Sequence, residues 1–214
     1  MVPAIEVINL SKSFGKTTIL DDVSCHFNKG QIHGIIGRNG AGKTILMKSI
    51  CGFIRPDKGE IKIDGELMTT RTDKKLEDIG IIIESPGFLP AFDGYSNLKY
   101  LASIRNVIGA EEINQVLETV GLTAAAKKKV GKYSMGMRQR LGIAQAIMEN
   151  QSILILDEPM NGLDNRGVNE MRELFLKLKS EGKTIILASH SKEDIEILCD
   201  TVIEMDHGKI IASR

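Results

Sequence analysis

The chain carries no excess charge of either sign: Lys plus Arg and Asp plus Glu number 28 each in 214 residues. Nothing general therefore draws it toward nucleic acid or an anionic membrane surface, and a DNA role would need a local patch. No apolar run approaches the length of a membrane-crossing helix, and the amino terminus lacks the charged, apolar, small-residue order of an export signal. The chain is expected to stay in the cytosol. Cys25, Cys51 and Cys199 are scattered without C-x-x-C spacing, which argues against disulfides or zinc and for small buried apolar side chains. Internal repeats and linkers are also lacking. What is present is 42% hydrophobic residues, enough to bury a proper core in one domain with room for a smaller lobe.

Two segments alternate in the strand manner, through Ile5, Val7 and Ile8 and through Val23, Cys25 and Phe27, with Asn28-Lys29-Gly30 as a turn after them. They predict an antiparallel β region that precedes and flanks the phosphate loop, and Gly59–Gly65 is another short strand bounded by turns. Ile79–Ile83, Ile153–Leu156 and Thr184–Ala188 are continuous apolar runs, the mark of strands covered on both faces in a parallel sheet. Between Ser96 and Gly121 the period turns helical: Leu98 and Leu101 are three apart, and Ile113, Val116, Leu117 and Val120 share a face. This predicts a helical lobe over about 86–150, entered through the proline-rich hinge Ser85–Pro90. Lys127-Lys128-Lys129 reads as a solvated turn, Val168, Met171, Phe175 and Leu178 as a helix face, and Asp206–Lys209 as the turn of a closing hairpin.

Gly37-Arg38-Asn39-Gly40-Ala41-Gly42-Lys43-Thr44 meets every term of the phosphate-loop pattern G-x-x-x-x-G-K-[ST]. Gln31–Ile36 reads as the strand entering it and Ile45–Ile50 as the helix leaving it, the setting the pattern requires. Glycines let backbone N–H groups turn inward around phosphates, Lys43 supplies a point charge, and Thr44 offers a hydroxyl to a metal at a helix N-terminus. The chain is expected to bind a nucleoside triphosphate with magnesium.

Asp157 and Glu158 stand at the carboxyl end of an apolar strand, where open α/β sheets place their ligands. One carboxylate can hold the magnesium shell while the next orients or deprotonates an attacking water. Ser134 is suited to cap a helix whose Gly136 leaves backbone N–H groups accessible, a second anion-binding terminus. Phe14 reads on its own as core, Asp164 as an exposed acid or a helix cap, and His190 as a structural histidine or a phosphate contact at a strand end.

In their order, GRNGAGKT, YSMGMRQR, ILILDEP, NGLD and then His190 after a strand resemble the nucleotide-binding subunit of an ABC transporter, over nearly the whole chain. The resemblance implies a phosphate-loop ATPase core with a mostly parallel sheet, an antiparallel β subdomain and a helical lobe. It implies that ATP and magnesium are bound. Phe14 would stack on adenine and Ser134 and Gly136 would grip the γ-phosphate of the opposite subunit. Asp164 would lie across the dimer interface, and His190 would contact the γ-phosphate as a switch. The partners would be an integral-membrane permease and a second copy of the chain or a paralogous subunit, with no nucleic acid.

Glu84 stands at the hinge where the family usually carries glutamine, and Met135 and Met137 stand where the commonest signature, LSGGQ, has a small and an amide residue. These departures resemble the branch that includes bacitracin and lantibiotic resistance and immunity exporters. A carboxylate about 4 Å from a phosphate would cost about 4 kcal/mol at an effective dielectric near 20. Glu84 must therefore join Thr44 and Asp157 against magnesium, swing away, or be protonated. Two other readings stand beside transport. A soluble ABC ATPase of DNA, ribosomes or iron–sulfur assembly is disfavoured by the single phosphate loop and by the short stretch between Thr44 and Asp157. A small-molecule kinase leaves the YSMGMRQR segment unexplained.

Overall fold

Two sheets and a ring of helices divide the chain's apolar residues between them in a computed structural model that describes residues 2–68 and 74–214. Strands β1 (Ile5–Phe14) and β2 (Thr17–Phe27) pair as an antiparallel hairpin about Gly15 and Lys16. Next come β3 (Ile32–Ile36), α1 (Lys43–Ile50), β4 (Lys58–Ile63) and the two-residue β5 (Glu66–Leu67). β1, β2, β4 and β5 form the antiparallel sheet, in the order β2-β1-β4-β5.

β6 (Ile79–Ile82) opens a long excursion through α2 (Gly94–Arg105), α3 (Ala110–Thr119) and α4 (Met135–Ile147). It closes at β7 (Ile153–Asp157), the parallel neighbour of β6. The helical period read between Ser96 and Gly121 thus belongs to two helices, split where Asn106 turns left-handed at φ 54°. α5 (Asn165–Ser180), β8 (Thr184–Ala188), α6 (Lys192–Leu198), β9 (Thr201–Asp206) and β10 (Lys209–Ser213) complete the chain. The larger sheet runs β10-β9-β3-β8-β7-β6, parallel throughout except for the antiparallel edge strand β10.

Strand alternation explains the two cores. In β7, Leu154 and Leu156 face the helices while Ile153 and Ile155 face α1 and the antiparallel sheet. β8 repeats this with Ile185 and Leu187 on one side and Ile186 and Ala188 on the other. Burying each such Ile or Leu contributes about 1.5–3 kcal/mol, so the central strands are held from both faces. Their carboxyl ends, where the acids and His190 stand, inherit that rigidity. The cysteines are free: Cys51 is buried, Cys25 and Cys199 only half-buried, and burial pushes all three thiols up to about 12. Among the described residues no helix is long and apolar enough to cross a membrane.

Candidate functional site

β3 delivers the chain into Gly37, whose φ of 145° and whose neighbour, the Met205 carbonyl, leave no room for a side chain: a Cβ would lie 2.2 Å from that oxygen. α1 begins after Gly42 with no acid in its first turn, so its free N–H groups and positive end face an open cavity of about 830 Å³. Asn39, Gly40, Ala41, Gly42, Lys43, Thr44 and Ile45 line that cavity. Lys43 is buried, and its Nζ donates to the Gly37 carbonyl at 2.6 Å and the Arg38 carbonyl at 3.2 Å, closing the loop on itself. Gly37 and Arg38 do not line the cavity. Arg38 turns outward, its Nε donating to Asp206 Oδ1 at 2.7 Å and its guanidinium touching His207.

Across the cavity, Thr44 Oγ1 donates to Asp157 Oδ2 at 2.8 Å. Glu158, left-handed at φ 50°, is held by backbone: its N–H donates to the Ala188 carbonyl at 3.0 Å, and its own carbonyl accepts from Gln139 Nε2 at 3.2 Å. Its Oε1 lies 3.3 Å from His190 Nε2, close enough for a charge contact but not aligned as a hydrogen bond, so this buried oxygen keeps a free acceptor site. Burial lifts the Glu158 carboxyl above the usual range, with adjacent Asp157 adding to the rise and His190 and Lys43 opposing it. A carboxylate of raised basicity with an open lone pair suits a water that must lose a proton. Thr44 and Asp157 offer a hydroxyl and a carboxylate, an all-oxygen pair that fits a hard cation. Among the described residues no group of three or more His, Cys, Asp or Glu side chains could hold a metal.

The remaining candidates fall on both sides of the cavity wall. Phe14 ends β1 half-exposed on the cavity's rim and is therefore not core, with Lys12 Nζ 5.4 Å from its ring centroid. Glu84 also lines the cavity, but its carboxylate has swung onto Lys48, Nζ to Oε1 at 2.6 Å. Ser134 caps α4, its Oγ accepting from the Met137 N–H at 3.1 Å. Neither Ser134 nor Gly136 lines the cavity, although exposed Met135 does. Gly136 instead packs on the loop before Asp164, where a Cβ would come within 2.7 Å of the Gly162 carbonyl. Asp164 is exposed and caps α5, accepting from the Gly167 N–H at 2.8 Å.

Sequence reading missed the buried support beneath His190. Arg172 on α5 donates from Nε at 2.9 Å and from Nη2 at 2.5 Å to Asp194 Oδ1 on α6, both residues being buried. Ser189, just before His190, shares Asp194 and accepts the Ser191 N–H at 3.1 Å. Ser191 followed three residues later by an acid is a helix-start signal that marked α6. Gln139 was also missed, because nothing in its spacing indicates that it reaches the Glu158 backbone.

The family model described as ABC transporter matches residues 20–161. Among curated relatives, the uncharacterised ABC transporter ATP-binding protein YybJ of Bacillus subtilis is 44% identical over 98% of this chain and 96% of its own length. The bacitracin transport ATP-binding protein BcrA of Enterococcus faecalis is 41% identical over 97% of this chain and 68% of its own. The lantibiotic transport ATP-binding protein SrtF of Streptococcus pyogenes is 39% identical over 98% and 90%. A solved ATP-binding subunit of an ABC transporter superposes with a TM-score of 0.90 at 26% identity, covering 99% of this chain and 89% of that one. With the phosphate loop, the acid-tipped strand and the capped signature helix in family order, these matches make the chain a member of the ABC transporter family, on its ATP-binding and ATP-hydrolysing side.

Proposed function

We propose that two copies of this chain, or this chain and a paralogous subunit, close head-to-tail around two ATP molecules and power export of a peptide antibiotic or lantibiotic through a separate integral-membrane permease. The observation that carries the reading is a separation within one chain. The cavity gathers residues 39–44 of the phosphate loop, Asp157, Glu158, His190 and the side of α4 at Met135, whereas Ser134 and Gly136 lie off it. Each chain thus holds two half-sites that need a twin, and a two-fold pair completes both.

Within a completed site Lys43, freed from the Gly37 and Arg38 carbonyls, turns to the β- and γ-phosphates, while Phe14 stacks on adenine. Thr44 and Asp157, with Glu84, are the residues that would hold magnesium, whose positive charge neutralises the transferring phosphoryl group. Glu158 takes the proton of the attacking water, and His190 contacts the γ-phosphate. Ser134 and Gly136 of the opposite copy cover the γ-phosphate, and Asp164 lies across the interface.

The helical lobe, over about 86–150, carries exposed Phe92, Tyr100 and Ile104, apolar side chains available for a contact with the permease. That contact would hold the chain on the inner face of the membrane, and the balanced charge favours no nucleic acid. The transport names of the bacitracin and lantibiotic relatives support the substrate class.

Complementation tests the shared site. Lys43→Ala and Ser134→Arg chains are each expected to lose ATP turnover. Mixed, they should recover part of it, because a mixed pair contains one site with both halves intact. A mixture no more active than its components would rule out the shared site. Co-purification with a polytopic membrane protein, against ribosome or DNA capture, separates transport from the soluble alternative.

A further inference from the structure

His190 stands between two serines that are tied to the same buried residue, Asp194. Ser189 Oγ donates to Asp194 Oδ2 at 3.4 Å, and Ser191 Oγ accepts from the Asp194 N–H at 3.2 Å. Ser189 Oγ also accepts the Ser191 N–H at 3.1 Å, which closes the chain into a short turn with His190 between the closing residues. From that turn His190 reaches the wall of the nucleotide cavity, with Nε2 3.3 Å from Glu158 Oε1. Arg172 directs both Nε, at 2.9 Å, and Nη2, at 2.5 Å, to Asp194 Oδ1, which leaves Oδ2 to Ser189. A second cavity, of about 390 Å³, runs beside Ser189, His190 and Glu158, so the turn has open space to shift into once its ties are cut.

A buried ion pair is weak evidence for stability, because two apolar side chains of similar volume often fill such a place as well or better. What an apolar pair cannot supply is a carboxylate oxygen held still for a hydroxyl. Arg172 is 8% and Asp194 4% exposed, and their bonds join α5 to the first turn of α6, so Oδ2 is fixed by two packed helices. We infer that Arg172 and Asp194 are positioning residues: through Ser189 they fix the turn that aims His190 at the γ-phosphate and keeps it beside Glu158. The inference rests on the reading of His190 as the γ-phosphate contact.

Steady-state ATP hydrolysis and chemical denaturation of the full chain test this side by side in the parent, Ser189→Ala, the Arg172→Met/Asp194→Leu pair, His190→Ala, and His190→Ala added to the pair. The paired change removes both buried charges and leaves Glu193, 71% exposed, to water, so the denaturation midpoint should stay close to the parent's. The kcat should nonetheless fall about ten- to a hundredfold, the scale of an ångström-sized misplacement, with KM for ATP changed less. Ser189→Ala, which leaves the ion pair in place, should move kcat in the same direction. Should the pair fold poorly, Ser189→Ala carries the test alone. Adding His190→Ala to either background should then lower kcat distinctly less than it does in the parent, since both changes act through one side chain. Burial raises the Glu158 carboxyl and His190 opposes that rise. The acid limb of kcat/KM should therefore move to higher pH in both variants, a shift that a merely structural role would not produce. If His190→Ala slows turnover while Ser189→Ala or a folded pair runs at the parent rate, the inference is overturned and the reading of His190 stands. The same follows if His190→Ala lowers kcat as much in those backgrounds as in the parent. If His190→Ala itself turns over at the parent rate, the reading falls and the inference falls with it.

Discussion

The phosphate-loop end and the Ser134 end of the molecule, halves of one site in the function proposed above, are built differently. At the first, Lys43 is buried and doubly bonded to its own loop, Thr44 is paired with Asp157, and both stand on elements packed against the central strands. At the second, Ser134 is exposed at a helix tip, with the Met137 N–H as its partner. The first end is tied together by its own contacts. The second is a capped helix terminus held by a single local bond.

Removing the proton acceptor is the harshest test of the finished half. Glu158→Gln should keep ATP binding and lower turnover roughly 10²–10⁴-fold, with ATP-loaded pairs accumulating in size-exclusion chromatography. Hydrolysis at the parent rate would take Glu158 out of that role. Next in size is the buried support under His190. Arg172→Ala leaves Asp194 without its ion-pair partner, and chemical denaturation should register a loss of about 3–5 kcal/mol. The paired change Arg172→Met with Asp194→Leu should recover most of it, since the stranded charge is gone. An unaltered midpoint in the single variant would show that the pair holds nothing.

Phe14→Ala should weaken ATP binding by about 1–3 kcal/mol, the usual worth of stacking a base on an aromatic ring, with kcat kept. A nucleotide affinity equal to the parent's would return Phe14 to a structural role. The smallest effect concerns Glu158 and pH. Its carboxyl is raised by burial, so the folded chain favours the protonated form. That contribution is fully present below the unfolded pKa and is lost as pH rises through the folded value. Near neutral pH the ionised group therefore opposes folding, and Glu158→Gln should melt slightly higher than the parent there, with the gap closing in acid. The acid limb of kcat/KM should lie above the range of an ordinary glutamate, and a limb at the ordinary value would contradict the burial argument.

Much of this was legible because local patterns sufficed. The apolar runs of β7 and β8 announced a sheet covered on both faces, and the loop Gly37–Thr44 announced its own geometry. Ser134 and Asp164 appeared as the caps that their residue types favour. What escaped depends on chain folding over long separations. The Arg172–Asp194 pair joins residues 22 apart, and Lys48 meets Glu84 across 36. No periodicity encodes such meetings. The carboxylate at the hinge could be seen from sequence to be unusual, but its contact with Lys48 could not.

A Cβ on Gly136 would come within 2.7 Å of the Gly162 carbonyl, so the tip of α4 and the loop leading to Asp164 are closely packed. In the pair proposed above, one of these surfaces would clasp the twin's nucleotide and the other would lie along the twin's flank. A product leaving either pocket would therefore jostle the grip on the other. The two hydrolysis events in such a machine would be timed against each other rather than fired at random.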